Sequence, residues 1–414
     1  MHPFVDLLHQ RRIACLWAGL ALSALGGELG RMAILWLAIE QAGPAATLLP
    51  MAQYAVILAV SLGAGLFADR WSARATLIAT DLLSAAVVLA PVLLAPAFGV
   101  ALSGLLVVAM LLAALHALFQ PALLTSIPAI AGSRERIQGV NALLDATTRL
   151  ARLGGPFLAG LLSPLLPVLH LLTLNALGFL ASAAAIAAVG RIAAPAPARH
   201  AADGAVRRLL RGIELLGAQP EIRVLLLANT LVLAAWTVGV SLGLPFLVAQ
   251  TALTGFGLAG LGAVAALVAA YGAGDFVSNF WVASRRPMRP GRFMFGGYLL
   301  LGGALALLPL PLWWLPAETR LAAMIAAAFA SGLGGPMFFI PMMTLLQTRL
   351  VGADLAAVVR LRLALTAAAM VAGSGLGALL FDRLGAAPAV LLAGLAVALV
   401  GAWGWRRWPD LGAS

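Results

Sequence analysis

The sequence predicts an all-α integral membrane protein in which twelve transmembrane helices form two pseudo-symmetric six-helix bundles. Three observations lead there. Of the 414 residues, 63% are hydrophobic and only 10% are charged, against about a quarter charged in ordinary soluble chains, and the mean hydropathy is +1.03. Uncharged runs such as AATLLPMAQYAVILAVSLGAGLFA (45–68) reach the ~20 residues that a hydrocarbon layer of ~30 Å asks of a helix. The polar stretch between residues 191 and 222 is the only long one, and it divides the apolar runs six and six.

The runs are bounded by arginine, Gly/Pro or short polar clusters, and begin near Ile13, Ala45, Thr76, Phe98, Val140 and Leu166, then Val224, Phe256, Phe293, Leu321, Leu363 and Ala387. Span 1 follows HQRR and is longer than a signal-peptide core, with no small-residue cleavage site, so it reads as a retained anchor. The predicted domains are 1–190, a linker over 191–222, and 223–414. The linker starts Pro/Ala-rich. Its second part, AVRRLLRGIELL, has Val206, Leu209, Leu210 and Ile213 at helical spacing with Arg207, Arg208 and Arg211 beside them. That pattern suits either a helix lying on an anionic membrane surface or a solvated linker helix.

All 26 basic residues are arginine, for a net charge of +11. Their placement explains the excess. Arg11 and Arg12, Arg70 and Arg74, Arg134 and Arg136, Arg191 to Arg223, Arg285 to Arg292, Arg349, and Arg406 and Arg407 fall on one side of the spans. Only Arg320 and Arg383, beside Glu318 and Asp382, fall on the other. Positive charge stays on the cytoplasmic side, so both termini and the linker are expected there, and a nucleic-acid partner is unnecessary. With Cys15 alone, no internal disulfide is possible.

The halves echo each other. GAGLF (63–67) matches GAGDF (272–276), and GPFLAGLL (155–162) matches GSGLGALL (373–380), at offsets of 209 and 218. Such repeats are how many membrane carriers are built, with two bundles expected across a central cavity.

The loop after span 2, GLFADRWSARATL (65–77), resembles the cytoplasmic loop motif of the major facilitator superfamily, G-x-L-A-D-R-x-G-R-[RK]-x-x-L, with Gly65, Ala68, Asp69, Arg70, Arg74 and Leu77 in place and Phe67, Ser72 and Ala73 departing from it. GGPFLAG (154–160) is similar to the Gly-Pro motif of span 5 in exporters. LGGELGRMAILWLAIEQAG, FQPALLTSIPAI and GGPMFFIPMMTLLQTRL resemble the bacterial siderophore and macrolide exporters, such as the enterobactin-exporter type. The resemblance implies secondary transport by alternating access in the bacterial inner membrane, driven by protons, with Gly65, Asp69, Arg70 and Arg74 as a cytoplasmic gate motif. In the superfamily an acid in the place of Asp69 helps latch the halves, and spans 1, 4, 7 and 10 line the cavity. The span 4 arginine of many proton-coupled antiporters is missing; LLAALHALFQP offers only His116, beside Phe119 and Gln120.

The charges inside the spans are the candidate site. At 100° per residue, Asp145, Arg149, Arg152 and Pro156 fall within about 60° of one another, and a charge at bilayer depth needs protein or water beside it. Asp145 and Arg149 are four apart, Glu28 and Arg31 three. With Asp81 the first half holds three buried acids against three buried arginines. One reading is a salt-bridge network that keeps spans 1, 3 and 5 in register. The other is functional: buried ion pairs stabilise poorly compared with apolar packing, arginine keeps its proton, and a carboxyl in an apolar surround binds one more readily. Glu28 and Asp145 are then proton-coupling sites, and Arg31, Arg149 and Arg152 hold an anionic ligand.

Asp275 in YGAGDFVSNFW is a further proton-site candidate, or a neutral carboxyl bonded to Asn279 or to backbone. Arg360 and Arg362 read as topology and gate residues at the mouth of span 11. Met337, Phe338, Phe339, Met342 and Met343 read as core, or as an adaptable apolar wall. Gly155 and Pro156, like Gly335 and Pro336, are expected to bend their helices.

No ATP-binding Walker loop, nucleophile elbow or metal-ligand spacing is present in the sequence. The expectation is therefore a non-enzymatic monomer without cofactor or metal, working on a small molecule and protons in the lipid bilayer. Rival readings are a facilitator, importer or lysolipid flippase, a membrane-embedded acyltransferase with His116 as base, and a receptor that binds without transporting.

Overall fold

The computed structural model describes residues 7–63, 72–131, 134–190, 205–283, 289–350 and 352–411. Among them the secondary structure is helical, joined by short turns, with no strand. Six spans come first: α1 (Arg11–Ala42), a 3-10 turn (Gly43–Thr47), α2 (Leu48–Gly63), α3 (Ala73–Phe98), α4 (Leu102–Ala131), α5 (Arg134–Leu162) and α6 (His170–Val189). A short helix, α7 (Ala205–Ala218), precedes the second set. There α8 (Pro220–Trp236) passes through a π turn (Thr237–Leu242) into α9 (Gly243–Thr251), the pair making one span. Then come α10 (Leu261–Ala283), α11 (Pro290–Leu307), the short α12 (Pro311–Trp314), α13 (Ala317–Arg349), α14 (Gly352–Arg383) and α15 (Ala386–Arg407).

Among the described residues, ten stretches are long and apolar enough to cross a membrane, the first of them covering α1 and α2 together. The chain is a multi-pass membrane protein. Standing apart from the ten is α5. Its 29 residues give a length of about 43 Å, but Asp145, Arg149 and Arg152 spoil its apolar run.

Local chemistry sets the ends. The Ser72 side chain accepts a bond from the Ala75 amide at the start of α3, an N-cap that satisfies one donor the helix leaves open. Pro220 and Pro290 open α8 and α11, where the missing N–H costs nothing.

The chain divides into two compact units, Met1–Ala42 with Ala52–Ala201, and Gly43–Met51 with Ala202–Ser414. Helix α7 therefore belongs to the second unit rather than to a free linker. Gly212 brings it onto α14, where a Cβ would lie 3.0 Å from the Ala357 carbonyl oxygen, and Leu215 is buried beneath it. Span 11 begins at Gly352, eleven residues before the expected Leu363, because α14 carries Arg360 and Arg362 inside the helix rather than before it.

Each unit repeats the same helix pairings. In the first, span 1 packs on spans 6 and 5, and span 3 on spans 6 and 4; in the second, the span made of α8 and α9 packs on α15 and α14, and α11 on α15 and α13. Glycines permit these approaches. Gly178 on α6 lies against the Leu22 carbonyl and Ser23 of α1, and Gly302 on α11 faces Gly394 and Ala398 of α15. Without a hydrophobic gain between helices in lipid, close van der Waals contact is what holds them. In the second unit the largely aliphatic core holds an aromatic group: Tyr298 stacks on Phe338 at 3.9 Å between ring centroids, and Phe295 meets Phe338 edge-on at 5.5 Å.

Neighbouring glycines of α11 test this packing. A Cβ at Gly302 would stand 2.6 Å from the Gly394 carbonyl oxygen, whereas Gly303 has nothing within 4 Å. Gly302→Val is expected to cost about 1 to 3 kcal/mol by overpacking, read as a lowered unfolding midpoint in detergent. The same change at Gly303 leaves the midpoint within experimental error.

Candidate functional site

In the first unit one group of ionisable side chains lies where α1 and α5 touch. Arg31 donates from Nε to Glu28 Oε2 at 3.0 Å, and its Nη2 reaches the same oxygen. The Glu28 side chain is 15% exposed and that of Arg31 is 51%, so the acid lies inside and the cation reaches outward. Gly155 of α5 makes the space: a Cβ there would collide with Glu28 Cβ and lie 3.2 Å from its Cγ. Helix α5 runs unbroken through Pro156, and at Gly155 it meets Glu28 directly. Trp17 of α1 ties the same helices together, donating to Thr147 Oγ1 at 2.8 Å. The phenol of Tyr54, on α2, lies within electrostatic reach of Arg31, Arg152 and Glu28. The cluster is thus Glu28, Arg31, Tyr54 and Arg152.

The stripe on α5 is open. Arg149 Nε donates to Asp145 Oδ2 at 2.8 Å, with the side chains 48% and 64% exposed, and Arg152 is exposed as well. Its direction is given by the residues in line with it, since Pro156, Ala159 and Gly160 lie on the same side of α5 and are buried. Leu150, Phe157 and Leu161 project on the opposite side and are exposed, as lipid-facing residues should be. The charges therefore open on the protein side of the helix.

One reading of the charges is corrected. No salt bridge links α1, α3 and α5 among the described residues; both pairs form within single helices, because spacings of three and four suffice to close them. Asp81 of α3 stands apart from the arginines. It is 3% exposed, and its neighbour is Ser182 of α6. The gate motif is described only at Arg74, whose Nη2 donates to the Ala187 carbonyl near the C-terminal end of α6 at 3.0 Å. A cation suits that end of a helix. Gly65, Asp69 and Arg70 lie outside the described residues. His116 is bonded to Gln120 at 3.3 Å.

The second unit has its own polar cluster. Asn279 donates through Nδ2 to Asp275 Oδ2 at 3.1 Å and to the Asp275 carbonyl at 2.7 Å. One turn earlier on α10, Tyr271 accepts from Trp236 Nε1 at 2.8 Å. Trp236 ends α8 directly before the π turn, a distortion often found at functional sites. Helix α13 continues through Gly335 and Pro336; a Cβ at 335 would lie 3.6 Å from Asp275 Oδ1. Phe338 and Met342 are core, while Phe339 is 39% exposed and lies under the Arg362 guanidinium at 5.4 Å.

The two clusters meet the repeat at equivalent places. Gly155 packs on Glu28, and Gly373 of α14 packs on Thr237, with a Cβ 2.9 Å from the Thr237 Cβ. Residues 28 and 237 are 209 apart and residues 155 and 373 are 218 apart, the offsets of the sequence repeats. Tyr54, Trp236 and Tyr271 are absent from the sequence-based site. A signal existed: the chain has only three tyrosines, and the third, Tyr298, also bonds a polar group, Asn229, at 3.2 Å.

No family model and no curated relative matches the chain. Solved structures do. A POT family transporter in complex with a thioalcohol-conjugated peptide is similar with TM-score 0.70 and 15% identity, over 97% of this chain and 96% of that one. A bacterial homologue of the iron transporter ferroportin, in its inward-facing state, is similar at 0.70 and 14%, over 96% and 99%. A variant of the E. coli fucose:proton symporter is similar at 0.54 and 16%, over 95% and 98%. These likenesses show a shared fold, that of the helical membrane transporters to which the chain is similar.

The exposure of the α5 pair decides what it does for stability. Exposed i to i+4 pairs contribute about 0.3 to 0.5 kcal/mol. A double-mutant cycle of Asp145→Asn and Arg149→Gln is expected to return a coupling below about 1 kcal/mol in unfolding measurements, too small for a role in holding the fold.

Proposed function

We propose that the chain is a secondary transporter working by alternating access: a proton-coupled exporter of a siderophore, drug or other amphipathic small molecule in the bacterial inner membrane, with both termini cytoplasmic. One observation carries the reading. The charges of α5 open on the side away from its lipid-facing leucines and phenylalanine, beside the Glu28, Arg31, Tyr54 and Arg152 cluster. Costly intramembrane charges that add little stability mark a pathway. The similar structures support it, since one is of a proton symporter and another holds a peptide conjugate.

The residues divide the work. Arginine stays charged, so Arg31, Arg149 and Arg152 offer fixed cations to an anionic group of the substrate. A proton reaching Glu28 or Asp145 releases Arg31 or Arg149 from its pair. Because Gly155 rests directly on Glu28, a change in that side chain is felt by α5 at once. Asp275 is the corresponding proton site of the second unit, and Gly65, Asp69, Arg70 and Arg74 serve as the cytoplasmic gate. No three His, Cys, Asp or Glu side chains come together among the described residues, so the likeness to a ferroportin homologue gains no support here for a metal cargo.

Reconstituted vesicles test this. With an imposed pH gradient, efflux of ethidium or enterobactin from wild-type proteoliposomes is expected to exceed that of Glu28→Gln or Asp145→Asn at least tenfold. Equal flux in both variants removes the proton assignment. Comparison of inverted and right-side-out vesicles separates export from import, and gradient-independent flux indicates a facilitator.

A further inference from the structure

Two arginines of α14 stand two residues apart in different surroundings. Arg360 is exposed, as a charge that only fixes topology can be. Arg362 lies about 160° round the helix from it, partly buried, with its Nε shielded and bonded to nothing. That side of α14 is the inward one. Arg362, Thr366 and Gly373 fall within about 40° of one another, and a Cβ at Gly373 would stand 2.5 Å from the Ala234 carbonyl oxygen of α8.

Among the described residues Arg362 forms neither an ion pair nor a hydrogen bond. The acids of the helices around it are placed elsewhere: Glu221 of α8 is held by Arg349 at 2.5 Å, Glu214 of α7 is exposed, and Asp354 lies in the first turn of α14, about 12 Å further along the axis. What Arg362 has is a ring. Its Cζ stands 5.4 Å from the centroid of Phe339 on α13, a contact that steadies the guanidinium plane and leaves its N–H donors unused. Thr366, one turn on, repeats the pattern. In the second unit Thr230, Thr237, Thr251 and Thr344 each donate to the carbonyl four residues back, the usual outlet for a hydroxyl inside a helix. Thr366 does not, and its shielded Oγ1 has no partner. Two unspent donor groups therefore stand side by side on the inward face of α14, one of them a cation that cannot lose its proton.

We propose that Arg362 and Thr366, with Phe339 beneath the guanidinium, form a binding subsite for a carboxylate carried on an apolar body. A carboxylate matches the planar fork of an arginine with two parallel bonds, and the partly exposed Phe339 offers the apolar body a surface. This deepens the transport reading, on which it rests for its meaning, by giving the second unit its own hold on an anionic substrate. The binding itself needs no gradient and can be measured alone.

The probe is 1-naphthoate, with neutral 1-naphthamide and cationic 1-naphthylmethylammonium as size-matched counterparts, each measured by equilibrium dialysis against the purified full-length protein in detergent micelles and against empty micelles. Wild type is expected to bind the naphthoate saturably and the other two no better than micelles do. Arg362→Gln weakens that binding about tenfold or more, and Arg362→Lys, which keeps the charge but not the fork, about threefold. Thr366→Val leaves every charge in place and weakens it about threefold. Circular dichroism and a monodisperse elution peak establish that each variant is folded; should Arg362→Gln fail to fold, Arg362→Lys and Thr366→Val decide. Absence of saturable naphthoate binding overturns the subsite, as does wild-type affinity in a folded Arg362→Gln or in Thr366→Val, which would place the anion on other arginines. Arg362-dependent displacement by phosphatidylglycerol at concentrations below those of naphthoate itself overturns it in favour of a lipid headgroup. Arg362-dependent binding together with failed vesicle transport would remove the transport reading and leave the subsite intact.

Discussion

At bilayer depth there is no water to receive a charge or an unpaired backbone group, and every feature of this protein answers to that constraint. Backbone groups are satisfied inside helices, which is why helices make up nearly all of the described chain. Side-chain charges cannot be satisfied so cheaply. They are confined to a few positions, and several of those are paired: Arg31 on Glu28, Arg149 on Asp145, Asn279 on Asp275. The stripe on α5 could not point toward Leu150 and Phe157, because hydrocarbon offers a guanidinium nothing.

The same solvent removes the hydrophobic drive for helices to associate, so fit decides the packing. Glycine is therefore placed where one backbone must approach another, as Gly178 does on α1 and Gly302 on α15. At Gly155 this packing requirement and the chemistry coincide. The absent side chain brings α5 against Glu28, and its repeat counterpart Gly373 brings α14 against Thr237. One unit has an acid and arginines at that level; the other has a threonine, a π turn and, nearby, an aromatic pair with its own acid.

Much of this was readable from the chain alone. The i to i+3 and i to i+4 pairs followed from helix geometry, since both partners lie in one element. The duplication was visible in two short matches, and the offsets reappear in the contacts of Gly155 and Gly373. Asp81 was misassigned for the complementary reason. Counting acids against arginines treats a bundle as one compartment, whereas Asp81 faces α6 and Ser182, out of line with the stripe. Tyr54 and Trp236 were missed because an aromatic residue in an apolar span looks like core until its polar atom has a partner. Arg360 and Arg362 were expected before their helix because charge was taken as a boundary, yet a long side chain can sit within a span and reach a polar or aromatic neighbour, as Arg362 does at Phe339.

By itself the sequence determined which stretches are long and apolar enough to cross a membrane and which charges pair along a single helix. Each of these depends on residues close together in the chain, through hydrophobic run length and helical spacing. Only the tertiary structure decided which face of α5 is open, that Gly155 seats Glu28, that α7 docks on α14, and that Trp236, Tyr271 and Asp275 converge. Those relations join residues 35 to 145 positions apart. They arise from how helices rotate and approach, which side-chain shape on several helices settles jointly and no single segment encodes.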